Sequence, residues 1–88
     1  MGQDLDVPIQ VECYAGYKGE EVPLALIREG ERFQVVEIIE RWCEEQGEPG
    51  QGRRFWFRVR VEDGRLLTLY RDEPLDLWFL RFSSEARP

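Results

Sequence analysis

Six side chains in one short stretch could do chemistry together: Trp56, Arg58, Arg60 and Tyr70, with Arg53 and Arg54 just ahead of them. Trp and Tyr offer flat faces for stacking, and Arg offers a planar fork for phosphate or carboxylate. Residues 54–70 alternate apolar and polar, break at Asp63-Gly64 and resume. That is the pattern of a β-hairpin with one buried face. A three-residue loop, Glu62-Asp63-Gly64, puts Gly at the left-handed position such loops favour. It pairs Val59 with Leu67 and Phe57 with Leu69 on one face. The other face then carries Trp56, Arg58, Arg60, Leu66, Thr68 and Tyr70. A two-residue Asp63-Gly64 loop would instead set Val61 against Leu66 and mix apolar with polar, because a one-residue slip inverts one strand.

This face has several uses. It could stack bases and contact phosphates, or receive an acidic or aromatic peptide. It could equally be a cross-strand aromatic pair under Arg stems, contributing ~0.2–1 kcal/mol and nothing more. A homodimer interface burying Trp56 is a third reading, and strand addition at Leu24-Ala25-Leu26-Ile27 would serve the same end.

Other chemistries find little here. The chain has no His, so Ser-His-Asp and Cys-His arrangements cannot be built. Cys13 and Cys43 make no CxxC motif and fall short of a metal site, and read as buried structural thiols. Glu20-Glu21, Glu44-Glu45 and Asp72-Glu73 are adjacent acids in turns, without the spacing of a calcium loop or of a glycosidase pair. The glycines between Gly47 and Gly52 lack the Lys-Ser/Thr ending of a phosphate loop. The expectation is no catalytic residue, no metal and no cofactor.

Charge bears on partners. Eighty-eight residues carry a net −6, placed unevenly. Residues 1–52 hold twelve acids and four bases, and residues 53–88 hold six acids and eight bases. An acidic chain repels DNA and anionic membrane, an objection the basic second half softens. No segment approaches the ~20 apolar residues of a membrane span, and the N-terminus lacks a leader pattern. A cytoplasmic location is expected.

These residues need elements to hold them. Residues 8–82 read as one β domain between flexible termini, 1–7 and 83–88. Pro8–Ala15 reads as a strand with Ile9, Val11 and Cys13 on one side. Val22–Arg28 reads as a second, at an edge or starting irregularly because Pro23 cannot donate to a ladder. Glu29-Gly30-Glu31 is a tight turn. From Arg32 to Cys43, Val35, Ile38, Ile39, Trp42 and Cys43 fall at helical spacing, with Gln34, Glu37, Glu40, Arg41 and Glu44 opposite. Four β-branched residues and the absence of an N-cap favour a long, bulged strand. An amphipathic helix at about 31–46 stays open. Glu44–Gly52 is a flexible loop, Arg71–Pro74 a turn, and Leu75–Phe82 a last strand with both faces covered.

Cys13-Tyr14-Ala15-Gly16-Tyr17, Pro23, the run from Val36-Glu37-Ile38 to Trp42, Phe55–Val61, Asp63-Gly64, Leu69 and Trp78-Phe79-Leu80 carry a resemblance. Over about residues 9–82 the chain resembles small stand-alone bacterial proteins of unknown function. It is also similar to a domain of unknown function encoded beside translesion DNA polymerases. In related sequences the segment matching 32–43 is strand-like. The resemblance brings no site residues, and its link to DNA repair is by neighbourhood alone. The expected fold is a curled antiparallel sheet of five or six strands closing toward a small SH3-like barrel. The expected function is a non-enzymatic binding module for a protein partner, with nucleic-acid contact by the Trp/Arg face as the alternative.

Overall fold

The computed structural model describes residues 4–15, 21–45, 47 and 51–83. Six antiparallel strands close into a barrel in chain order: β1 (Asp4–Ala15), β2 (Glu21–Arg28), β3 (Glu31–Glu45), β4 (Arg53–Val61), β5 (Leu66–Asp72) and β6 (Leu77–Ser83). The expected mainly-β, SH3-like barrel is what forms. The described residues contain no helix, and so none long and apolar enough to cross a membrane.

Two long strands each serve two sheets. β1 pairs with β6 over Asp4–Ile9, then with β2 over Gln10–Ala15. β3 pairs with β2 over Glu31–Gln34, then with β4 over Val35–Glu45. One sheet therefore runs across β1, β6, β5, β4 and the C-terminal half of β3. The other contains the remaining halves of β1 and β3 with β2 between them. Residues 4–7, expected in a flexible arm, are the start of β1. Their ladder to β6 closes the barrel.

Local chemistry explains each junction. Glu29 and Gly30 both have positive φ, the two-residue turn whose twist matches the strands it joins. Gly64 has φ +95°, and the Val61 and Gly64 hydrogen bonds close the three-residue loop. The hairpin takes the expected register, Val59 with Leu67 and Phe57 with Leu69. Pro23 is buried on a stretch of β2 paired only to β1, beside the bulge between Glu12 and Cys13. The last strand begins at Leu77 rather than Leu75, because Asp76, at φ +56°, and Leu75 belong to the turn that Asp72 organises through the Leu75 amide.

The segment 31–46 is strand up to Glu45, so the helix alternative is overturned. The register with β4 skips at Val36 and at Ile39. Each bulge adds a residue, so the core-facing positions Val35 and Ile38 fall three apart instead of two. Two bulges in succession thus imitate helical periodicity.

The core is Leu26, Phe57, Val59, Val61, Leu69, Trp78 and Leu80, with Ile9, Val11, Phe33 and Ile38 packed against it. Ala25 is also buried, and Ala25–Ile27 is paired on both sides. Of the run Leu24–Ile27, Ala25–Ile27 is therefore no free edge for strand addition, and Leu24 is the exposed extra residue at the register shift with β1. Cys13 is half-buried, but Cys43 is exposed, against the expectation of two buried thiols. Of the loop expected over Glu44–Gly52, Glu44 and Glu45 instead end β3, and residues 46 and 48–50, like 16–20 and the tail 84–88, lie outside the described residues.

Candidate functional site

The larger sheet has an outer face, and its registers build that face row by row. Trp42 lies opposite Trp56, Trp56 opposite Tyr70, Tyr70 opposite Phe79, and Phe79 opposite Pro8. One straight row of four aromatics and a proline thus crosses all five strands. Trp42 and Trp56 stack with centroids 5.7 Å apart and planes within 2°. Trp56 and Tyr70 meet at 4.4 Å, and Tyr70 and Phe79 at 5.2 Å.

Charged rows flank it. On one side stand Glu40, Arg58, Thr68, Arg81 and Asp6. On the other stand Glu44, Arg54, Asp72 and Leu77. Two arginines from these rows fold over the aromatics. The Arg81 guanidinium carbon lies 4.7 Å from the Trp56 ring centre, and that of Arg54 lies 4.8 Å from the Tyr70 ring centre. Both distances suit cation–π attraction. The result is that Trp56 is only 5% exposed and Tyr70 only 3%. Trp56 is therefore a covered rib of the outer face and not a free stacking platform.

Carboxylates hold the covering arginines. Asp6 accepts from Arg81 Nε at 2.7 Å and Nη2 at 2.9 Å, and from the Tyr70 hydroxyl at 2.7 Å. The Arg81 hydrogen bonds hold the Asp6 carboxyl below its ordinary range against opposing desolvation, helped by Tyr70. Burial, aided by the Asp6 bond, pushes the Tyr70 hydroxyl up to about 12. Arg54 Nε stands 3.6 Å from buried Asp72. Trp56 Nε1 donates to Glu44 Oε1 at 2.8 Å, so the indole has its partner as buried indoles require.

The six residues singled out by sequence meet different fates. Trp56, Tyr70, Arg54, Arg58 and Arg60 do share the outer face. Arg60 is paired with Glu37 at 3.0 Å. Arg53 alternates to the other side, near Glu73 and over Phe55. Arg58 is exposed and forms no ion pair among the described residues. Opposite the basic strand β4, β3 sets an acid in register with each arginine: Glu37 with Arg60, Glu40 with Arg58, Glu44 with Arg54 and Glu45 with Arg53. The basic cluster is largely answered within the fold.

Sequence reasoning missed Trp42, Asp6 and Arg81. Trp42 is 44% exposed and is the exposed aromatic at the β3 end of the row. It borders a shallow groove lined also by Trp56, Arg58, Thr68, Arg81 and Asp4. Counting through two bulges would have found Trp42. Asp6 and Arg81 are 75 residues apart, and no local signal joins them.

One side of β3 is also unused. Beyond Gln34, no described strand pairs with β3 on the side away from β4. Val36, Ile39 and Trp42 are exposed along this half-strand. Among the described residues no three His, Cys, Asp or Glu side chains converge as metal ligands would. Comparison with protein-family models, with curated proteins and with solved structures finds no match for this chain.

Proposed function

We propose that this domain is a non-enzymatic accessory module that binds a protein partner along the free side of β3, with Trp42 as the anchor. The observation that carries this reading is the C-terminal half of β3, which among the described residues is paired on one side only and exposes Val36, Ile39 and Trp42. An unpaired strand edge offers main-chain donors and acceptors, and neighbouring apolar side chains supply area. Exposed Trp next to an ordered ring gives a rigid anchor with little entropy left to lose.

A second reading keeps nucleic acid as the ligand and rests on Arg58, which lies in the groove beside Trp42 without an ion pair among the described residues. Asp4 and Glu44 border that groove and work against phosphate there.

Site-specific photo-crosslinking in cells separates the two. A benzophenone side chain at Ile39 is expected to yield a discrete protein adduct, while one at exposed Gln10 on β1 yields none. Recovery of nucleic acid instead promotes the second reading. No adduct from position 39 above that from position 10 overturns the proposal.

A further inference from the structure

The free half of β3 carries a pattern that says what kind of segment it fits. The bulges at Val36 and Ile39 twist the edge and break any long ladder there. From Glu40 to Glu45 the register with β4 is regular, and all six residues are exposed. On the outer face this stretch reads Glu40, Trp42, Glu44: acid, aromatic, acid. Glu40 has no hydrogen bond or ion pair with the described residues, and Glu44 uses one oxygen on Trp56.

Resting on the reading above, we infer that the partner segment is a cationic β-strand that adds to Glu40–Glu45, with the side-chain order Lys/Arg, any, apolar, any, Lys/Arg. Each cation then faces Glu40 or Glu44, and the apolar side chain lies on Trp42. Cross-strand pairs of opposite charge and aromatic–aliphatic pairs are the favourable ones. The pattern is symmetric, so it serves either strand direction. A second copy of this chain fits poorly. Antiparallel pairing centred on Trp42 sets Glu40 against Glu44 of the other copy twice, and both copies carry net −6.

Three peptides test this against the whole protein: Thr-Lys-Thr-Val-Thr-Lys-Thr, and the same peptide with both Lys changed to Gln or to Glu. Backbone amide shifts and amide exchange are followed by NMR at low and near-physiological salt. The Lys peptide is expected to shift and protect the amides of residues 40–45. It should bind about 10-fold or more tightly than the Glu peptide, with an advantage that shrinks as salt rises. Glu40→Lys should abolish the preference for the Lys peptide over the Glu peptide, because each then meets one like and one opposite charge at positions 40 and 44, and Glu40→Gln should narrow the gap; an unchanged amide spectrum elsewhere shows that each variant is folded. Equal binding of all three peptides at residues 40–45 overturns the cationic partner and leaves strand addition standing. No effect at residues 40–45, with a protein still captured from position 39, overturns the inference but not the module. Failure of both experiments overturns both. A concentration-dependent dimer that protects residues 40–45 overturns the inference in favour of a second copy.

Discussion

Phe57 and Trp56 are neighbours on β4, point to opposite faces, and are each 5% exposed. They reach that burial by different physics. Phe57 is enclosed because the barrel closes over it, with Leu69 beside it and Trp78 at 5.7 Å. Trp56 is on the outside of the same sheet, where no strand among the described residues covers it from above. Its cover is the Arg81 guanidinium, pinned by Asp6, with Trp42 stacked alongside. Guanidinium is weakly hydrated for a cation and stacks flat on aromatic faces, so it can do this where Lys would not. The inner cluster is closed on every side. Of the four aromatics in the outer row only Trp42 is exposed, and that is the end at which we propose a partner binds.

The paired truncations are the sharpest test of that contrast. Phe57→Ala should cost about 3–5 kcal/mol, the usual range for emptying a packed core. Trp56→Ala should cost about 1.5–3 kcal/mol, the value of burying a large apolar side chain without an enclosed cavity left behind. Denaturant unfolding reads both. If Trp56→Ala costs nothing measurable, the arginine cover is an accident and the outer row is a platform after all.

Asp6→Asn attacks the cover without touching a ring. Charge-assisted hydrogen bonds to Arg81 are lost, at about 1.5–3 kcal/mol. Among the described residues Asp4, at 3.6 Å, is then the carboxylate left to hold Arg81, and the Trp56 ring should open to solvent. Acrylamide quenching of tryptophan fluorescence should rise in the variant; unchanged quenching would show that Arg81 needs no anchor. The same carboxylate gives an acid limb. Because Asp6 titrates below its ordinary value in the folded state, its contribution is present above the unfolded value near 3.8 and fades as pH falls through the lower folded value.

Tyr70 gives the opposite limb. Its hydroxyl titrates at about 12 folded and 10.0 unfolded, so the neutral form favours the fold. That stabilisation is complete below pH 10 and is lost as pH rises through 12, with a slope of up to about 1.4 kcal/mol per pH unit between them. Tyr70→Phe should flatten the alkaline limb of stability against pH. An unaltered limb would mean that the hydroxyl is less enclosed than its ring.

The smallest effect on stability should come from Trp42→Ala. Its ring stacks on Trp56 and is 44% exposed, so the loss should be about 0.5–1.5 kcal/mol. Partner capture from position 39 should nonetheless disappear. A variant that unfolds, or one that still captures its partner fully, would remove the distinction between the covered rib and the open end.

Much of the fold was legible in the chain. Asp63-Gly64 between two alternating runs specifies a hairpin, and only one register separates its faces, so the pairing of Val59 with Leu67 followed. The segment 32–43 was harder because bulges at Val36 and Ile39 change the period of the pattern, and period is the main local signal for strand or helix. β-branched residues decided it correctly. The free edge was misplaced. Leu24–Ile27 is apolar enough to look like an edge run, but Ala25–Ile27 of it lies between β1 and β3. The candidate site was half legible: alternation put Trp56, Arg58, Arg60 and Tyr70 on one face, yet could not say that the face is covered.

By itself the chain determined its strands, its turns and the side of each strand on which the aromatics stand, because alternation and turn chemistry are properties of residues a few positions apart. The tertiary structure decided which of those aromatics water can reach. Asp6 on β1 meets Arg81 on β6 only when the barrel closes, and that closure shuts Trp56 in, while the parting of β3 from β2 after Gln34 leaves Trp42 open.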